Sequence, residues 1–62
     1  MRAEIEVYDI GVFEKAVEKV VQKLDRALEA LYNGDIGVTI AELRVAIMIC
    51  SHWLRHLELL RG

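Results

Sequence analysis

The sequence predicts an all-α fold, an antiparallel helical hairpin that assembles into a homodimeric four-helix bundle. Two apolar stripes with helical spacing stand on either side of a break at Asn33-Gly34-Asp35. The chain has 62 residues, and chains below roughly 70 to 80 residues seldom build a sufficient core without a staple, a metal or a second subunit. Its hydrophobic share is 55% without glycine, against about 45 to 50% with glycine counted in typical globular domains. Pooling copies gives that surplus somewhere to go. A larger hetero-partner or a membrane surface would also absorb it.

Residues 1–8 form an arm or a short strand, since Ile5 and Val7 alternate with Glu4, Glu6 and Tyr8. An early helical turn fits the same residues. Helix one is expected over 9–33, with Asp9 as its cap. Its stripe is Phe13, Val17, Val20, Leu24, Ala27 and Leu31, widened by Val21 and Leu28. Its outer face carries Glu14, Lys15, Glu18, Lys19, Gln22, Asp25, Arg26 and Glu29.

Asn33 and Gly34 tolerate the left-handed conformation that ends helices, and Asp35 can cap the next one. Thr39-Ile40-Ala41-Glu42 also fits the capping-box pattern, so helix two starts at either Asp35 or Thr39 and runs to residue 60. Arg61 and Gly62 read as a frayed end.

Helix two carries a heptad-type seam of Ile36, Ile40, Leu43, Ile47, Cys50, Leu54 and Leu57. A second strip, Val45, Met48, Ile49 and Trp53, lies outside it, so one partner helix cannot cover both. The expected oligomer interface is therefore Phe13, Val17, Val20, Leu24, Leu28, Ile40, Leu43, Ile47, Ile49, Cys50, Trp53, Leu54 and Leu57. A dimer is expected first, and the second strip leaves room for a tetramer. Trp53 reads as an interface anchor, and Tyr32 as packing over the turn with its hydroxyl in water.

The single cysteine excludes an intramolecular disulfide, and its place on the seam suggests a buried thiol from a reducing compartment. No segment has the roughly 18 uninterrupted apolar residues of a membrane span, because Glu42, Arg44 and His52 punctuate the richest stretch. The N-terminus does not resemble a signal peptide. Cytoplasmic residence is the resulting expectation. One Asn, one Gln, one Ser, one Thr and no Pro also suit a thermophile.

Catalytic signatures are lacking. Cys50, Ser51 and His52 are consecutive, and neighbouring helical residues point about 100° apart, so they cannot relay protons to one another. The closely spaced Arg and His of small helical nucleases are not matched: Arg44 and His52 stand too far apart, and Arg55 and His56 are adjacent. The glycines at 11, 34, 37 and 62 are scattered and form no phosphate loop. His52 and His56, four residues apart, share a helical face as candidate metal ligands. Two ligands do not make a site, and neither a metal nor a cofactor is expected. The reading is a non-enzymatic oligomerising interaction or regulatory module whose partner the sequence does not identify; a protein partner is one candidate.

The contending class is a nucleic-acid regulator. Basic residues are outnumbered by acids, with 8 lysines and arginines, 10 acidic residues and a formal net charge of −2, so only a local patch could serve. Lys15, Lys19, Lys23 and Arg26 form such a stripe on helix one. With the hairpin bundle, this stripe resembles in architecture the plasmid-encoded RNA-binding regulators of the Rop type, which implies RNA binding by an assembled dimer. A strand before two helices is also similar to ribbon-helix-helix repressors, although Glu4 and Glu6 make the strand's outward side acidic. The segment Ala27 to Asp35, followed by Ala41, Ala46 and Trp53-Leu54, resembles an uncharacterised archaeal helical family with a Gly-Asp turn and a Trp-Leu pair near the end. His52 stands where that family usually has Gly. The resemblance implies a helical hairpin and supplies no catalytic residues.

Overall fold

The structure, a computed structural model, describes residues 7–62. It consists of two antiparallel helices, α1 (Val7–Tyr32) and α2 (Ile36–Arg61), each of 26 residues. No strand occurs among the described residues. Val7 and Tyr8 belong to α1, and the remainder of the arm or strand expected over 1–8 lies outside the described residues. Asp9 therefore does not cap α1 but sits inside its first turn, where a carboxylate is favoured by the helix dipole.

The turn follows from three residues. Gly34 adopts φ 76°, a conformation that costs a β-carbon-bearing residue free energy. This places the Asp35 N–H on the Ala30 carbonyl at 2.8 Å and the Gly34 N–H on the Leu31 carbonyl at 3.0 Å, the paired bonds of a Schellman ending. Asp35 then serves the second helix as well. Its Oδ1 accepts from the Val38 N–H at 3.1 Å, which settles the start of α2 at Ile36.

Thr39 is accordingly not a cap. It lies inside α2 and is buried, and its hydroxyl is 2.8 Å from the Asp35 carbonyl and 3.4 Å from the Ala27 carbonyl of α1. At the far end, α2 runs one residue past the expected limit and closes on Gly62, whose N–H donates to the Leu59 carbonyl at 3.2 Å.

The helices meet along a seam of small residues. Ala27, Ala30 and Ala46 are the buried hydrophobic residues, at 5%, 8% and 4% exposure. Half-buried Ala16, Val20 and Lys23 continue the seam on α1, and Glu42, Val45, Ile49, Trp53, His56 and Leu60 continue it on α2. Spacings of three and four recur along both sets, as in coiled-coil packing. Lys23 and Glu42 form an ion pair across the seam at 3.6 Å. Phe13 and Trp53 meet edge to face at 4.9 Å toward the open end, a favoured aromatic geometry.

Candidate interaction face

The small-residue seam pushes the large apolar residues to one side of the hairpin. On α1, Phe13, Val17, Leu24, Leu28 and Leu31 are 38 to 54% exposed, and on α2, Ile36, Ile40, Leu43, Ile47, Leu54 and Leu57 are 38 to 62% exposed. Within each helix these residues are turned to the same side of the seam. Both sets therefore open onto one face, because the helices are antiparallel. The heptad seam read on helix two is not where α1 packs; α1 instead meets the register of Thr39, Ala46 and Trp53.

Between the helices this face forms a groove of about 580 Å³, lined by Phe13, Val20, Leu24, Leu43, Ala46, Ile47, Cys50, Ser51, Trp53, Leu54 and Leu57. Nine of the thirteen expected interface residues are in that lining. Val17 and Ile49 line a smaller adjoining groove with Val20 and Val21. Leu28 lies further along α1 beside Leu31 and Tyr32, and Ile40 is one turn from Leu43.

Three expectations change. Cys50 is exposed rather than buried, because the helix that would cover its seam is not α1. Tyr32 is 83% exposed, so it stands out from the turn instead of packing over it. Trp53 is first an intramolecular anchor: its ring contacts Phe13 at 4.9 Å, His56 at 5.5 Å and His52 at 6.2 Å. His52 and His56 thus flank an indole, and among the described residues no group of three or more His, Cys, Asp or Glu could hold a metal.

The opposite side of the hairpin is polar near the turn. Arg26, Glu29, Asn33, Asp35 and Glu42 surround a depression with Ala30 and Val38. Lys15, Lys19, Lys23 and Arg26 run along this side of α1, away from the apolar groove, and Lys23 is engaged by Glu42. Lys23 and Glu42 retain 19% and 15% side-chain exposure, so the pair is screened from bulk water more than a surface pair.

No family model, curated protein or solved structure matches this chain. By length and composition α2 could also cross a membrane, and only 6% of its most apolar 18-residue window is buried within the hairpin. The core helix of a soluble protein, mostly buried, meets the same length and composition.

Proposed function

We propose that the chain is a self-assembling helical module in which two hairpins bury their apolar faces against each other as a four-helix bundle. The assembled outer surface then acts as a non-enzymatic interaction or regulatory platform. The observation that carries this reading is the continuous exposed face, with Ile47 and Leu54 still 62% and 61% accessible.

The hairpin as a whole has surface enough to give up to a second copy. The hairpin exposes 5414 Å², whereas a compact monomer of 7.1 kDa exposes about 4,100 Å². The excess of about 1,300 Å² exceeds the roughly 800 Å² per partner of a standard interface. Monomeric soluble proteins rarely leave a large contiguous apolar patch in water.

Light scattering on a sizing column across a range of concentrations tests the proposal. Twice the chain mass at micromolar concentration is the expected result, and a monodisperse monomer would refute it. Co-sedimentation with vesicles, and no dimer without them, would give the face to a membrane instead.

The RNA- or DNA-binding alternative has less support. Lys23 is already paired with Glu42, and burying the apolar faces would leave the two basic stripes on opposite sides of the bundle. A low-salt gel shift with structured RNA that showed tight, salt-dependent binding would revive it.

A further inference from the structure

We infer that the second copy binds with its turn at the same end of the bundle, so that each α1 lies against the partner's α2; this rests on the assembly reading above. Two stackings bury the apolar faces. With turns at the same end, the two-fold axis runs along the helices and α1 faces the partner's α2. With turns at opposite ends, α1 faces α1 and α2 faces α2.

The charges that border the face distinguish them. On α1, the residues just beyond Val21 and Leu28 around the helix are Glu14, Glu18 and Asp25. On α2, those just beyond Ile40 and Ile47 include Arg44 and Arg55. All five are exposed. Positions flanking an apolar seam are those that meet across neighbouring helices and choose partner and orientation. The same-end stacking places an acidic edge against an arginine edge on both sides of the bundle. The opposite-end stacking sets acids against acids and arginines against arginines, which is unfavourable.

The axial levels also agree. Within the hairpin Ala27 stands level with Thr39, Lys23 with Glu42 and Phe13 with Trp53. A two-fold along the helices carries those levels to the partner unchanged. Arg44 then falls between the levels of Glu18 and Asp25, roughly 5 Å of helix rise from each, and Arg55 falls about as far from Glu14. Those are distances an arginine side chain spans. Glu58, an acid on the arginine edge, lies about 9 Å beyond Glu14 toward the open end and opposes none of these acids.

The test places a spin label on Asn33→Cys in a Cys50→Ser background and measures the distance between the two labels in the dimer by pulsed electron resonance. Turns at the same end give a distance below about 30 Å, set by the width of two helix layers. Turns at opposite ends give about 40 Å or more, the length of a helix. In parallel, Arg44→Glu with Arg55→Glu is expected to raise the dimer dissociation constant roughly tenfold, and adding Glu18→Arg and Asp25→Arg restores it. A dimer with the long distance, or one tightened by the arginine reversals, overturns the orientation and leaves assembly standing. A monomer in every variant and in the parent chain overturns both.

Discussion

Ile47→Ala probes the face at the most exposed large apolar residue of its groove. The substitution removes three carbons, and 62% of the residue is open to burial by a partner. At about 0.8 kcal/mol per buried CH₂, each copy loses about 1.5 kcal/mol and a symmetric dimer about 3 kcal/mol. Because about 1.4 kcal/mol is a factor of ten, the dissociation constant rises about 100-fold. Alanine is the better helix former, so helical content at high concentration is retained and loss of the dimer is not loss of the fold. Met48→Ala is the matched control. Met48 is 70% exposed but lies about 100° further around α2, pointing away from the groove. Sedimentation equilibrium over a wide concentration range reads both variants. An unchanged dissociation constant for Ile47→Ala, or an equal loss for Met48→Ala, would refute the assignment of the face.

Four further outcomes are expected. Gly34→Ala costs about 1–2 kcal/mol by urea denaturation, since φ is 76° while no atom lies within 4 Å of the added carbon; an unchanged midpoint would show that the turn is not held in that conformation. Asp35→Ala removes the acceptor for the Val38 N–H and costs about 1 kcal/mol, whereas Asp35→Asn keeps most of it. Ala46→Leu adds bulk to a seam position with 4% exposure and destabilises by about 1–3 kcal/mol; a raised melting temperature would mean the helices are not in close contact there. Melting temperature rises with protein concentration, as mass action requires when folding and association are linked, and a scan independent of concentration would count against a dimer.

Much of the hairpin was legible in the sequence. Asn33-Gly34-Asp35 has the only composition in the chain that both ends a helix and caps the next, and the structure uses it in that way. Leu24 on the stripe of helix one and Leu43, Ile47, Leu54 and Leu57 on the seam of helix two were also legible as apolar faces, and the structure turns them onto one groove. What periodicity does not tell is which partner. A stripe repeats identically whether its own hairpin or a second chain covers it, and here the intramolecular seam takes Val45, Ile49 and Trp53 from the second strip of α2, leaves Met48 exposed, and has its tightest points at alanines and Thr39, whose hydropathy is too weak to mark a core. The heptad spacing of Ala16, Val20, Lys23, Ala27 and Ala30 was the available signal, hidden because a lysine sits within it. Asp9 misled for another reason: acids are favoured both at the cap and in the first turn, so the residue type does not separate the two.

The allocation of side chains between seam and face links folding to assembly. Thr39 reaches the Ala27 carbonyl at 3.4 Å only because Ala27, Ala30 and Ala46 let the backbones approach. Leucines there would have held the helices apart and filled the gap themselves. Instead the close approach leaves Leu24, Leu43, Ile47, Leu54 and Leu57 beside the seam, on the side away from the Lys23–Glu42 pair. The Lys23–Glu42 pair borders the seam on one flank, and the other flank is open and apolar, as the proposed bundle requires. Substitutions at the turn, such as Gly34→Ala, should destabilise the hairpin whether or not it is paired. In the proposed assembly, substitutions on the open flank remove contacts that only a partner completes, so their effect should vanish at concentrations too low for pairing and grow as the dimer fills.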